Sequence, residues 1–304
     1  MISRGLFDAI SAIWITGSSY MSKKLNMPAV IPLAGMASEF GVEWDASLMP
    51  VAPNYTALES SIYESLHVGC SSIWIVANDD VAPLIRHRIG EWATDMESVQ
   101  RGTFRRFGNS HHREVPIYYV PIHPKHQGKI DNYAWSVIYG VNVAYWIMHR
   151  MSRWTVPRQY YISFPLGILD PKEVYKHKST LKKNAPFYFS HEGKTIKDGS
   201  LVSFVITPDE WRRAKHVITT NAASYKCPPD GEMPTEMLPP EERRASLKYN
   251  LQDVFGEGPK GTEVELKAFY DLTTWDGYVT LMKSELGTRL KRPSHKIMYR
   301  GRNK

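Results

Sequence analysis

Short apolar runs of strand length alternate along this chain with segments whose apolar positions recur every three or four residues, and each period predicts its own kind of element. Residues 28–34 are an apolar run closed by Gly35, the pattern of a buried β-strand. Beyond a polar loop, Leu58, Ile62 and Leu66 step by four, "VGC" breaks the helix, and "SSIWIV" supplies a second β-rich run. Strand, helix and strand in that order form the βαβ unit of a parallel sheet. The next piece, "NDDVAPLIRHRIG", predicts a short helix through Ile89, capped by Asp79 or Asp80 and with Pro83 early in it.

Glu114 to Ile122 reads as a third strand, about Asn132 to His149 as a helix with a broad apolar face, and "QYYISFPLGILDP" as a fourth strand ending at Asp170. Ser200 to Thr207 supplies another strand. Residues 226–262, rich in Pro, Gly and charge, read as a long exposed excursion, and "EVELKAFYDLTTWDGYVTLMKS" gives a closing strand and a final helix. This alternation specifies a doubly wound α/β fold, a mostly parallel sheet flanked by helices, whose ligands sit beyond the carboxyl ends of the strands.

Composition sharpens the outline. Of 304 residues, 42% are hydrophobic and 23% charged, so a core and a soluble surface can both be built. The expected organisation is an extension at 1–26, one main domain at 27–285 and a basic tail at 286–304. The net charge is +7, and Arg289, Lys291, Arg292, Lys296, Arg300, Arg302 and Lys304 account for all of it. Such a tail reads as a solvated end in preference to a nucleic-acid contact. Leu6, Phe7, Ile10, Ile13 and Trp14 recur at helical spacing, which permits a small amphipathic helix docked on the body or on a partner. A blander reading makes residues 1–20 an extension of little consequence ahead of Met21. The segment is too short to span a bilayer and Asp8 interrupts it, so no membrane span is expected. Cys70 and Cys227, without C-x-x-C spacing, suggest neither a zinc site nor a disulfide framework and fit a reducing, cytoplasmic compartment. Cys70 reads as a buried small residue, and Trp135, Trp146 and Trp275 read as packing groups on apolar faces.

The stretch "IPLAGMASEFGVEWDASLMPV", Ile31 to Val51, follows the first strand as a phosphate-cradling loop would, since backbone N–H groups bind anions without a particular side chain. Alternatively, Gly35 simply permits a tight turn. Leu33, Ala34 and Gly35 match the L-A-G that opens L-A-G-G-x-G-T-R, and Leu48, Pro50 and Val51 match P-K-x-L-x-P-V. With the βαβ unit to Val76 and "YDLTTWDGY" in the same order, residues 28–285 resemble the sugar nucleotidyltransferases, a GT-A/Rossmann-like family that joins a sugar phosphate to a nucleoside triphosphate. The resemblance implies that Leu33, Ala34, Gly35, Met36, Ala37 and Ser38 lie along the nucleotide phosphates. It places His123 at the base-reading Gln and Gly128 at the glycine that follows it. It also implies Mg²⁺ at Asp271, with Asp170 as a substitute second ligand because Phe164-Pro165 stands where a Gly-Asp pair belongs. Asp271 reads equally as a cap for the last helix, and Asp170 as a turn residue before Pro171. His111, His112, His123 and His126 match no standard metal spacing.

The departures decide how far the activity carries over. Glu39 stands where the family has a phosphate-binding Arg, Ala46 where it has the catalytic Lys, and Asp45 replaces the proline before it. A charge pair about 4 Å apart at an effective dielectric near 20 is worth about 4 kcal/mol, so exchanging Arg for Glu swings the interaction by up to roughly twice that. Replacement cations would have to come from Lys125, Lys129, Lys172, Arg101, Arg105 or Arg106. Three functions follow. One is an active, diverged nucleotidyltransferase that uses Mg²⁺ and releases pyrophosphate. The second is a catalytically silent relative that binds a nucleotide or nucleotide sugar, or serves in assembly. The third is a metal-dependent glycosyltransferase recruiting Asn78 to Asp80.

Overall fold

The computed structural model describes residues 26–35, 39–41, 44–95, 114–122, 133–222, 250–256 and 261–293. Strand β1 (Pro28–Pro32) leads through two short strands, β2 (Pro50–Ala52) and β3 (Tyr55–Thr56), into helix α1 (Ala57–Val68) and then β4 (Ser72–Ala77). Helix α2 (Ala82–Ile89), β5 (Trp92–Thr94), β6 (Glu114–Pro121) and the long α3 (Tyr133–Met151) follow. The second half contains β7 (Tyr160–Ile162), β8 (Gly167–Leu169), α4 (Pro171–Lys176), α5 (Lys178–Leu181), β9 (Phe187–Ser190), β10 (Phe204–Ile206) and α6 (Pro208–Ala222). Helix α7 (Leu251–Phe255), β11 (Thr262–Glu265), β12 (Phe269–Asp271), α8 (Trp275–Lys283) and α9 (Glu285–Arg289) close the described chain.

Eight strands form one sheet in the order β11-β9-β10-β7-β1-β4-β6-β5. β7, β1, β4 and β6 run parallel, β9 and β11 are parallel to each other, and β5 and β10 run against their neighbours. Alternate residues of the central strands serve opposite faces, as the pleat requires. Val30, Trp74, Val76 and Val120 pack with Ala134, Val137, Ile138 and Val141 of α3. Ala29, Ile31, Ile73, Ile75 and Ile117 pack with Leu58, Ile62 and Leu66 of α1 and with Ile85 and Ile89 of α2. Helices thus cover both faces, and the doubly wound α/β reading of the sequence holds.

Helix α1 begins at a capping box in which Thr56 and Glu59 serve each other's backbone amides, and it ends at Gly69 in the left-handed conformation. Glu59 is fully buried and also pairs with Arg88 (2.9 Å) and Arg292 (3.3 Å). Arg289 pairs with Asp170 (3.3 Å). Up to residue 293 the basic end is therefore tied to the body, where the sequence reading had a solvated tail from 286. Residues 294–304 lie outside the described residues, as do 1–25 and most of the 226–262 excursion.

Three details of the sequence reading change. The run "QYYISFPLGILDP" is two strands, because a turn at Phe164–Gly167 (Gly167 N–H to Phe164 C=O, 3.1 Å) takes β8 out of the main sheet. Every residue from Tyr160 to Leu169 is buried, so no change of polarity marked that turn. The "EVELKAFYD" run likewise divides into β11, at the sheet edge, and β12, which pairs with β8 in a separate antiparallel ribbon. Third, α2 has Val81 at its cap position with no side-chain cap, and Asp80 accepts only from the adjacent Val81 N–H (3.0 Å).

One buried acid couples the fold to pH. Glu64 of α1 accepts hydrogen bonds from Tyr161 Oη and from Ser203 Oγ (2.6 Å). Burial pushes its carboxyl up to about 7 from the ordinary 4.5 against the pull of those donors. The folded chain thus keeps a proton that the unfolded chain releases, so stability is fully present below about pH 4.5 and falls as pH rises through about 7. A shift of this size is worth about 3 kcal/mol. Urea unfolding at pH 5 and pH 8 should show that loss, and Glu64→Gln, which keeps an acceptor for both hydroxyls, should flatten it.

Candidate functional site

Strands buried on both faces leave polar chemistry to their ends. At the carboxyl end of β1, the N–H groups of Leu33 and Ala34 both donate to the Val76 carbonyl, at 2.8 and 3.3 Å. Ser136 Oγ of α3 donates to the Ala34 carbonyl at 2.7 Å. Gly35 then turns the chain with φ +81°, in the left-handed region that a side chain disfavours. Further on, Glu39 N–H donates to the Thr273 carbonyl at 2.9 Å. Phe40 packs edge-on against Trp275 and Tyr278, with ring centroids at 5.5 and 6.1 Å.

Asp45 caps a 3-10 turn, Ala46–Leu48, by accepting from Ser47 N–H at 2.9 Å. Tyr278 Oη donates to the Pro50 carbonyl at 2.9 Å and so clips this segment to α8.

Asp271 reaches the same edge by another route. β7 lies beside β1, and Ser163 N–H donates to the Val30 carbonyl at 3.2 Å. The turn after β7 presents Leu166, whose carbonyl takes the Leu272 N–H (2.7 Å), and Gly167, which opposes Asp271 in the β8–β12 ribbon. Asp271 Oδ1 accepts from Thr273 N–H (2.9 Å) and Thr273 Oγ1 (2.7 Å), which fixes the carboxylate. Thr274, not Asp271, caps α8, accepting from Gly277 N–H at 3.2 Å. A Cβ at Gly277 would lie 1.8 Å from the Asp271 carbonyl oxygen, so only glycine lets α8 approach this strand end.

Tyr133, the first residue of α3, is 9% exposed and packs edge-on against Phe164 at 5.4 Å. Its buried hydroxyl has no hydrogen-bond partner among the described residues. Burial raises its pKa well above the ordinary value, and the nearby carboxylates of Asp45 and Asp271 add to the rise. Glycine turn, two carboxylates and an unsatisfied hydroxyl therefore converge at the ends of β1 and β7. A cavity of about 950 Å³, lined among others by Asp79, Arg86, Tyr119 and Pro121, opens beyond β4 and β6.

Compared by sequence, the chain matches no family model and no curated protein. Its structure is similar to that of a UDP-glucose pyrophosphorylase complexed with UDP-glucose. The TM-score is 0.54 at 10% identity, over 87% of this chain and 100% of the other. It is also similar to a putative glucose-1-phosphate thymidylyltransferase from Bacillus anthracis in complex with a sucrose. Here the TM-score is 0.51 at 10% identity, over 88% of this chain and 97% of the other. The chain has the sugar-nucleotidyltransferase fold. At this identity the likeness speaks for the fold and leaves each site residue to its own geometry.

Within the nucleotidyltransferase fold, Leu33, Ala34, Gly35 and Asp271 come to one edge of the sheet. Asp170 does not join them: it follows Leu169, at the far end of the ribbon from the Gly167–Asp271 pair. There it caps α4 through Lys172 N–H (2.9 Å) and takes Arg289, which is the turn role rather than the ligand role. Glu39 is exposed, whereas Ala46 is buried in the core. Met36, Ala37, Ser38, His123 and Gly128 lie outside the described residues, as do the cation candidates Lys125, Lys129, Arg101, Arg105 and Arg106. Sequence reading missed Tyr133 and treated Asp45 only as a lost proline. A phenol opening an otherwise apolar helix face was the available signal for Tyr133. Of the packing tryptophans, Trp135 is buried but Trp146 and Trp275 are exposed.

Among the described residues no cluster of three or more His, Cys, Asp or Glu could hold a metal. Asp45 and Asp271 remain as a pair of oxygen donors, which suits Mg²⁺ when substrate phosphates complete its shell. No described helix is long and apolar enough to cross a membrane.

Two substitutions check this geometry. Tyr133→Phe removes an unsatisfied buried hydroxyl, so the ligand-free chain should be more stable by about 1 kcal/mol in urea unfolding. Gly277→Ala forces two backbone segments apart and should destabilise by roughly 1–3 kcal/mol in the same measurement.

Proposed function

We propose that the chain binds a nucleoside triphosphate or nucleotide sugar together with Mg²⁺ at the edge of the sheet marked by Gly35 and Asp271. By its fold it transfers a nucleotidyl group to a sugar phosphate with release of pyrophosphate. The observation that carries this reading is the Glu39 N–H to Thr273 C=O bond at 2.9 Å, which closes the loop after β1 onto the segment that holds Asp271. Around that closure the backbone of the Gly35 turn faces the phosphates, and Tyr133 Oη is a fixed donor for a phosphate or sugar oxygen. Asp271 and Asp45 would hold the Mg²⁺, which supplies the positive charge that triphosphate oxygens need. Thr273 orients Asp271, and Ser47 N–H orients Asp45.

A second reading, a nucleotide binder without transferase activity, has its own observation. Among the described residues no Lys or Arg pairs with Glu39, Asp45 or Asp271, and Ala46 points no cation at the site. Charge neutralisation then rests on metal and backbone alone. The glycosyltransferase reading is weaker: Asp80 binds only its neighbour's amide, and Asn78 accepts Val81 and Ala82 N–H groups through its carbonyl to start α2.

The two leading readings share a binding step and separate at turnover. A thermal-shift screen of nucleoside triphosphates and nucleotide sugars should show stabilisation only with Mg²⁺ present. It should approach about 3 kcal/mol at a hundredfold excess over Kd. Pyrophosphate release with sugar 1-phosphates then identifies a transferase, and silence across the panel identifies a binder. Glu39→Arg should tighten triphosphate binding about tenfold at low salt, and less as salt is added. An unchanged affinity would place the phosphates elsewhere.

A further inference from the structure

Four large apolar side chains stand exposed within nine residues at the C-terminal end of α3. Trp146, Ile147, Met151 and Trp154 are 49%, 43%, 73% and 96% exposed. Single exposed apolar residues are ordinary, but a contiguous group that includes an almost bare tryptophan marks a surface that something covers. Ile147, Met151 and Trp154 follow one another at spacings of four and three, and Trp146 leans on Tyr145 and His149 at ring-centroid distances of 5.7 and 6.0 Å. The patch is therefore a formed ridge.

The chain enters the body at the rim of this ridge. The Asn26 side-chain amide donates to the Thr155 carbonyl and lies 3.4 Å from Met148 Sδ, while its oxygen accepts from Ser71 Oγ at 2.5 Å. Thr155 adjoins Trp154, and Met148 precedes Met151 by three residues. Residues 1–25 thus leave the body beside the exposed group. They carry Leu6, Phe7, Ile10, Ile13 and Trp14 on one side of a helical projection, with Asp8 and Ser11 away from that side. Between Trp14 and Asn26 lie 11 residues, which extend up to roughly 36 Å, so reach imposes no barrier. A tether of this length also holds the segment near its target at about millimolar effective concentration.

We propose that residues 6–14 pack as an amphipathic helix across Trp146, Ile147, Met151 and Trp154 of the same chain. Apolar stripe meets apolar ridge, and Asp8 stays in water. The contact lies at the far end of α3 from Tyr133, about 27 Å along the helix axis, so it covers the core without entering the nucleotide site.

The test uses the full chain. Peroxide oxidation of Met151, followed by peptide mass spectrometry, should be about fivefold slower in the parent than in a Phe7→Asp, Ile10→Asp variant. Met282, also exposed, should oxidise equally in both. Ile10→Cys combined with Met151→Cys should close an intrachain disulfide on mild oxidation, visible as a faster monomer band on a non-reducing gel. Equal Met151 rates in parent and variant overturn the proposal. A covalent dimer in place of the monomer band gives the ridge to a second copy and overturns it too. So does Met151 protection in the parent that appears only when anionic lipid vesicles are added.

Discussion

The central strands of this sheet are covered on both faces, and that burial decides where everything else can go. β1 and β4 offer one row of side chains to α3 and the other to α1 and α2, so neither face has room for a ligand. Only the strand ends leave backbone groups and carboxylates facing water. At the end of β1 the Val76 carbonyl gathers the amides of Leu33 and Ala34, which aims the following turn across the edge rather than back over the sheet. The Glu39 to Thr273 bond then completes an enclosure from two segments more than two hundred residues apart in sequence.

Charge is distributed against the expectation for a triphosphate site. Several of the well-placed cations are committed elsewhere: Arg88 and Arg292 neutralise the buried Glu59, and Arg289 neutralises Asp170. Glu59 holds both the start of α1 and the end of the described chain, so losing it would leave two guanidinium groups facing a buried, uncompensated position. The nucleotide-facing edge keeps Glu39, Asp45 and Asp271. A site of that sign accepts phosphates only with a cation, which makes metal dependence a property of the binding step itself and not only of chemistry.

The same edge carries an unsatisfied group. Tyr133 Oη is buried without a partner among the described residues, a costly arrangement in a resting protein and a useful one where a polar ligand supplies the missing bond. Glu64 is the contrasting case: equally buried, but surrounded by hydroxyl donors, so it serves the fold. Burial alone does not distinguish the two; the presence or absence of partners does.

The amino-acid sequence by itself determined the alternation of strands and helices, the βαβ unit from β1 to β4, and the turn at Gly35. Those depend on periodicity and on single residues whose conformational preferences act locally. The split of residues 160–170 into β7 and β8 was invisible because uniform burial leaves no polarity contrast. Only tertiary structure decided that Asp271 and Asp170 part company, since they flank opposite ends of a ribbon whose pairing is a long-range event. It likewise brought Asp45 and Tyr133 to Asp271, and turned Trp146 outward although its neighbours on α3 face the core. Periodicity reports which face of an element is apolar, whereas the partner that face meets is set by how the whole chain packs.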